Sequence, residues 1–311
     1  MRAAAKRIAG HVTVTPLLPL EIAGTRLWAK AECLQQGGSF KLRGATNRLL
    51  RLTEEERRRG VVAFSSGNHA QGVAIAARRL GIAAAIVMPA DAPAVKREAT
   101  AAAGAEIVLY DRARERREEI GARLAAERGA VLVPSFDDVD IIEGQGSAGV
   151  EVAEQVRGEG PDRIVVPCGG GGLAAGMALA LPGANIVIVE PEGWDDMARS
   201  LAGGAIVPVP EDAPPTRCDA LQTKRVSPLT FAVLRERGAR GVSVSEGEVE
   251  RAVRFAMRHL RLVLEPGGAV ALAAALAGKA GALTPRSVLV LSGGNVDRRV
   301  YAEILSGSTA G

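Results

Sequence analysis

Short apolar runs rich in branched residues recur along the chain. Each is followed by a longer alanine- and arginine-rich stretch with helical patterning. Nine runs predict strands: Leu27–Glu32, Val61–Phe64, Ala84–Met88, Ile107–Tyr110, Val131–Pro134, Ile164–Val166, Ile186–Val189, Val242–Ser245 and Val288–Leu291. Such alternation predicts an α/β protein with a parallel sheet covered by helices. Helices are expected before Leu80 and from Pro228. Ser245-Glu246-Gly247-Glu248 has the spacing of a capping box, in which a serine oxygen and a glutamate three residues on satisfy unpaired amides. From Arg112 to Arg128 the charges alternate in sign, which predicts a solvated helix face. Ser306 to Gly311 is expected to fray.

Composition narrows the class. A chain of 311 residues with 47% apolar content suggests roughly two domains with a sizeable core. The formal net charge is only +4, and nine aromatic residues are not interleaved with basic ones, so nucleic-acid binding is not expected. No apolar run is long enough for a membrane span, and the start of the chain has no apolar segment of a secretory signal. Cys33, Cys168 and Cys218 are widely spaced and read as free thiols of a reducing, cytoplasmic setting.

Of the 39 basic residues only six are lysine, which leaves thirty-three arginines. Lysine can lose its proton and attack a carbonyl, which arginine cannot. Lys41, in Ser39-Phe40-Lys41-Leu42-Arg43-Gly44-Ala45, is flanked by Phe40 and Leu42, so its amine is expected to be desolvated and its pKa depressed. Three more blocks sit where predicted strands end: Ser65-Ser66-Gly67-Asn68-His69-Ala70-Gln71-Gly72, Gly169-Gly170-Gly171-Gly172, and Ser292-Gly293-Gly294-Asn295. Ligands of open α/β sheets bind at the carboxyl ends of strands. Four glycines before a helix allow close backbone approach to an anion. An amine, an anion cradle and small hydroxyl and amide groups together suggest pyridoxal 5'-phosphate.

With Glu265-Pro266-Gly267-Gly268-Ala269 and Ser292 to Asp297 added, these blocks resemble the pyridoxal-phosphate lyases of the tryptophan synthase β-subunit fold (fold type II), nearest to threonine/serine dehydratases and serine racemase. Phe136-Asp137-Asp138 and Gly144-Gln145-Gly146-Ser147 resemble the family as well. The resemblance implies a two-domain open parallel-sheet architecture. Residues 1–52 and 144–311 would form a large cofactor-binding domain, and 53–143 a small mobile domain carrying the substrate loop. It also implies a homodimer and no appended regulatory module.

The resemblance further implies residue roles. Lys41 would hold the cofactor through its amine and, once displaced, act as the base at the substrate Cα. Gly169, Gly170, Gly171 and Gly172 would bind the cofactor phosphate, and Ser292 its ring nitrogen. Asn68 would contact the ring hydroxyl, with Phe40 and Glu265 close by. Ser65, Ser66, Gly67, Asn68 and His69 would form the substrate loop, in which Ser66 is the acid/base on the opposite face in the racemase branch. Its acidic turn would bind Mg2+ or Ca2+ through Glu190, the Trp194 carbonyl and Asp196; hard oxygen donors suit those ions. The implied reaction is β-elimination of L-threonine or L-serine to a 2-oxo acid and ammonia. Serine racemase and 3-hydroxyaspartate dehydratase are alternatives on the same fold. A nicotinamide dehydrogenase is a remote one, because Gly169-x-Gly171-x-x-Ala174 and Glu190 imitate a dinucleotide fingerprint.

Overall fold

The structure, a computed structural model, describes residues 1–65, 67–92 and 94–307, with the side chains of 94–96 excepted. Ser66 and the tail after Gly307 lie outside the described residues. Among the described residues ten strands form two sheets: β1 (Leu17–Ile22), β2 (Thr25–Ala31), β3 (Val61–Phe64), β4 (Ala84–Pro89), β5 (Glu106–Tyr110), β6 (Val131–Leu132), β7 (Arg163–Pro167), β8 (Asn185–Pro191), β9 (Arg240–Val244) and β10 (Ser287–Leu291). The larger sheet has the order β1-β2-β10-β7-β8-β9, the smaller β5-β4-β3-β6.

One expectation needs correcting. The larger sheet is mixed, because β1 pairs antiparallel with β2, Leu20 opposite Leu27. The sequence hides this strand because Pro19 interrupts it. Proline lacks a donor and is tolerated only at an edge, which is where β1 lies. Ala23 and Gly24 join the pair with φ of 49° and 76°, the positive pair of angles that matches strand twist in a tight hairpin. Glu32 leaves the expected strand for a short 3-10 turn, Glu32–Leu34.

Alternation within the strands sets the two faces of the large sheet. Leu289 and Leu291 pack in one core with Leu27, Ala29 and the buried helix Pro266–Leu276. Val288 and Val290 point into the other, with Ile164, Val166 and helix Gly172–Ala180. The smaller sheet is covered likewise, chiefly by helix Asn68–Leu80 on one face and Arg117–Arg128 on the other. Strands buried on both faces read as continuous apolar runs, as in β4 and β10.

Helix Val139–Gln145 lies between two helices that matter below. Gly144 meets Gly44 of helix Lys41–Leu50, where an added Cβ would lie 2.6 Å from the opposing Cα. Beyond its end, Gly146 meets Gly176 of helix Gly172–Ala180; a Cβ on Gly176 would lie 2.6 Å from the Gly146 nitrogen. Side chains at these crossings would push the lysine-bearing helix and the glycine-loop helix apart. Among the described residues no helix is long and apolar enough to cross a membrane.

Candidate active site

Lys41 is the first residue of helix Lys41–Leu50. Its Nζ donates to the Ser135 carbonyl at 2.8 Å, and lies 5.3 Å from the centre of the Phe40 ring. No carboxylate is hydrogen-bonded to it among the described residues. Burial alone lowers its pKa to about 8.

Segments that follow strand ends meet beside Lys41. Phe40 N donates to Ser292 O (3.3 Å), Gly294 N to Gly38 O (2.9 Å) and Glu265 N to Gly293 O (3.1 Å). The segments 38–40, 265–268 and 292–294 are thus tied together through backbone, although they come from three distant parts of the chain. A Cβ on Gly268 would lie 2.2 Å from the Gly293 oxygen, so only glycine permits that approach. Ser292 is buried, and its hydroxyl has no hydrogen bond to any described residue.

Asn68 opens helix Asn68–Leu80 and is held from two sides. Its Nδ2 donates to Glu265 Oε1 at 2.6 Å, and its Oδ1 accepts from Asn295 Nδ2 at 2.8 Å. Asn295 also donates to Gly37 O at 2.8 Å. These bonds fix which way the Asn68 amide faces. Ser65 continues the β3 pairing through its N–H to Val87 O, and its hydroxyl accepts from Gly67 N at 3.2 Å.

His69 is buried and bonds through Nε2 to Val133 O at 2.9 Å, so that nitrogen carries the proton. Its Nδ1 has no partner among the described residues. Burial, and secondarily the nearby Lys41, depress its pKa to about 3. The ring is therefore neutral. It anchors the same segment, 133–135, that receives the Lys41 amine.

The glycine loop runs from β7 into helix Gly172–Ala180. Gly171 has φ of 87°, a left-handed conformation that favours glycine. Helix geometry leaves the first-turn amides without intrahelical acceptors. The loop's flanks admit no side chain: a Cβ on Gly170 would lie 2.3 Å from the Phe136 ring, and one on Gly171 2.9 Å from Met197 and Thr230. Thr230 Oγ1 donates to Gly170 O at 2.8 Å and holds the loop in shape. Gly169 and Gly172 stand slightly freer, 3.2 Å and 3.1 Å from their nearest neighbours.

Glu190 and Asp196 are both buried. Glu190 accepts from the amides of Met197 (3.2 Å) and Ala198 (2.8 Å), and Asp196 from Val226 N (2.9 Å). Burial, then Asp196, pushes the Glu190 carboxyl well above its usual range; burial raises Asp196 to about 6. The Trp194 indole donates to Pro214 O at 2.8 Å. No lysine or arginine pairs with either buried carboxylate among the described residues. Glu190 thus spends both oxygens on the first amides of helix Asp196–Gly203, and among the described residues no group of three metal-ligating side chains gathers here.

Lys41, Phe40, the glycine loop, Asn68, Glu265 and Ser292 thus gather at one end of the large sheet. The acidic turn lies at the end of β8, adjoining β7 in that sheet. Several further members were given no role from the sequence. Ser135 contributes a backbone carbonyl, which any residue could supply. Thr230 comes from an unrelated helix. Phe136 and Asn295 stood inside family-like blocks, and that was their only signal.

Comparison with known proteins follows the same lines. The pattern of the family described as "Pyridoxal-phosphate dependent enzyme" matches residues 8–293. The L-threo-3-hydroxyaspartate ammonia-lyase of Saccharomyces cerevisiae is 42% identical over 316 residues, covering 99% of this chain and 96% of that protein. Maize serine racemase superposes with a TM-score of 0.91 at 37% identity, covering 98% and 95% of the two chains. The serine racemase of Dictyostelium discoideum superposes with a TM-score of 0.87 at 37% identity, covering 95% and 97%.

Proposed function

The chain belongs to the pyridoxal-phosphate-dependent enzyme family, and we propose that it releases ammonia and a 2-oxo acid from a small β-hydroxy amino acid, with L-threo-3-hydroxyaspartate preferred over L-serine and L-threonine. The observation that carries the cofactor reading is the Lys41 amine held on the Ser135 carbonyl, next to Phe136, whose ring packs on a glycine loop that admits no side chain. The substrate preference follows the likeness to an L-threo-3-hydroxyaspartate ammonia-lyase. The cradle and the low-pKa amine fit pyridoxal 5'-phosphate. When bound, the cofactor supplies the electron sink that makes the substrate's α-hydrogen removable.

The chain's own residues do the rest. Backbone amides of Gly169 to Gly172 receive the phosphate, while Phe136 and Thr230 keep the loop from relaxing. Ser292 offers to the ring nitrogen a hydroxyl that no described residue bonds. Asn68, its amide direction set by Glu265 and Asn295, has one N–H left for the ring hydroxyl. Phe40 lines the crevice beneath the amine. The Lys41 amine takes the proton from Cα, and a pKa lowered to about 8 leaves roughly a tenth of it unprotonated at pH 7, far more than an ordinary lysine. His69, held neutral, fixes the 133–135 segment and leaves the catalytic proton to Lys41. Ser65 and the first-turn amides of helix Asn68–Leu80 take the substrate carboxylate. Ser66 is assigned to the opposite face by its place in the loop alone.

Hydroxyaspartate brings a second carboxylate, which needs a cation. Arg117 begins helix Arg117–Arg128; its guanidinium lies 5.7 Å from the ring centre of Phe64, the residue before Ser65, and its Nε donates to Glu118 Oε1 at 2.8 Å, a half-exposed pair that the substrate carboxylate would replace. We assign the guanidinium to that carboxylate. Residues 53–143 would move as a unit to close the crevice over substrate and exclude water. A divalent cation at Glu190, the Trp194 carbonyl and Asp196 would neutralise the two buried acids. A homodimer is the expected assembly.

The test is a panel of L-threo-3-hydroxyaspartate, L-serine, D-serine and L-threonine scored for 2-oxo acid release. The highest kcat/KM is expected for hydroxyaspartate. Faster turnover of threonine or serine would reassign the substrate, and D-serine formed from L-serine without 2-oxo acid would make the protein a racemase.

A further inference from the structure

Two residues beyond Lys41, on the first turn of the same helix, Arg43 is completely buried. Its guanidinium is clasped from two sides. Nε donates to Glu32 Oε2 at 2.7 Å and Nη2 to Glu32 Oε1 at 2.8 Å. Nη1 donates to Glu151 Oε1 at 2.6 Å and Nη2 to Glu151 Oε2 at 2.8 Å. Lys30 completes the group, with Nζ donating to Glu151 Oε2 at 2.5 Å and to Thr15 O at 2.7 Å. Two cations thus face two carboxylates in the interior. The charges balance, and Thr15 and Ser147 hydroxyls fill remaining positions.

Such a cluster adds little to stability. Replacing a buried ion pair by apolar groups is often neutral or better, because desolvation offsets the attraction. What it supplies is direction. Glu32 stands where β2 ends, and Glu151 on helix Ser147–Gln155, so the two forks fix Arg43 against two independent elements. The other restraints on this turn act through backbone: Phe40 N donates to Ser292 O at 3.3 Å and Gly44 N to Gln145 Oε1 at 3.2 Å. Phe40, its N-cap, makes no side-chain cap, and no acidic residue occupies the first turn. The Lys41 side chain itself has one described hydrogen bond, to Ser135 O.

We propose that Arg43 is a positioning residue for Lys41: the two-sided clasp by Glu32 and Glu151 sets the roll of the first helical turn and so directs the Lys41 amine into the crevice. The inference rests on the reading of Lys41 as the cofactor lysine. It concerns geometry two residues away, which neither the cofactor nor the substrate touches.

Two variants test it. Arg43→Lys keeps the charge but cannot form two planar forks. Glu32→Gln with Arg43→Met removes one pair entirely and leaves the Lys30–Glu151 pair balanced. In each full-length chain without added cofactor, Lys41 acylation is followed against pH by peptide mass mapping, beside circular dichroism and Tm. The wild-type midpoint is expected near 8. In both variants it should rise by about one unit or more toward the ordinary lysine value, which slows labelling at pH 7 roughly tenfold, while the fold is kept. A folded variant with an unchanged Lys41 midpoint overturns the proposal. If both variants lose the fold, the cluster is a stability element and the proposal is equally overturned. Borohydride reduction of wild type with pyridoxal phosphate is read alongside. An adduct on another lysine overturns the functional reading and leaves the Arg43–Lys41 result to stand by itself.

Discussion

Asn68 Nδ2 lies 2.6 Å from Glu265 Oε1, although 197 residues separate the two in the chain. The bond joins the start of helix Asn68–Leu80, which covers the smaller sheet, to the start of helix Pro266–Leu276 in the larger. Both residues are buried, so the bond is shielded from water. Hydrogen bonds to charged groups contribute about 1.5–3 kcal/mol. Glu265→Gln keeps the shape and loses the charge. It should weaken pyridoxal phosphate binding by about tenfold or more with a small change in Tm, measured by titrating the cofactor's absorbance. Unchanged affinity would show that Asn68 is oriented well enough by Asn295 alone.

The glycine loop is tested by Gly170→Ala. One methyl group placed 2.3 Å from Phe136 must displace either the ring or the loop. Overpacking of this kind typically costs about 1–3 kcal/mol. Cofactor affinity should fall by at least tenfold, and combining the change with Phe136→Ala should restore part of it. No recovery in the double variant would mean that the Phe136 contact is not what excludes a side chain.

Arg117→Ala should discriminate between substrates. If its guanidinium takes the second carboxylate, KM for L-threo-3-hydroxyaspartate should rise about tenfold to a hundredfold, while L-serine and L-threonine change little. Loss of a charge-assisted bond has about that size. Equal losses on all substrates would assign Arg117 to packing on Phe64.

The acidic turn carries a pH signature. Folded-state pKa values of Glu190 and Asp196 lie above the ordinary carboxylate range, so the folded chain binds more protons than the unfolded one. Their contribution is therefore present in acid and lost as pH rises through about 6 for Asp196. A bound cation would remove that loss. Mg2+ or Ca2+ after EDTA should raise Tm more at pH 7.5 than at pH 5, the stabilisation reaching roughly 2.7 kcal/mol at a hundred times the dissociation constant. Asp196→Asn should abolish the difference. An identical Tm with EDTA and with cation at both pH values would make the turn purely structural, with Glu190 as a helix cap.

Much of the architecture was legible because strands buried on both faces announce themselves as branched apolar runs, and β3 was bounded to the residue. β1 was not, since Pro19 breaks its pattern and an edge strand needs less apolar sequence. In the proposed site, the desolvation of Lys41 was legible from its apolar flanks. The close packing of the glycine loop was legible because four glycines in a row signal a turn with no room for side chains. Ser135 was not, because a carbonyl carries no residue signature. The cluster of Lys30, Glu32, Arg43 and Glu151 was hidden for a different reason. Charged residues read as surface until the fold brings opposite signs together, and these lie up to 121 residues apart.

Lys41→Ala tests the linkage between the lowered amine and stability. A folded-state pKa of about 8, below the unfolded value near 10.4, makes the wild type gain stability as pH rises from about 8 to 10. The variant should lack that gain and fold normally at pH 7. A wild-type Tm that follows the variant's across this range would place the amine in water.

The central claim is that Lys41 carries the cofactor and performs the elimination. Pyridoxal phosphate is added to the full chain, the complex is reduced with borohydride, and the peptides are mapped by mass spectrometry. In parallel, the unreduced complex is given L-threo-3-hydroxyaspartate, and ammonia and 2-oxo acid are counted. The expected result is a single pyridoxyl adduct on Lys41, with the two products released in equal amounts by wild type and neither by Lys41→Ala. An adduct on Lys6, Lys30, Lys96, Lys224 or Lys279, or product release that survives Lys41→Ala, would contradict the account.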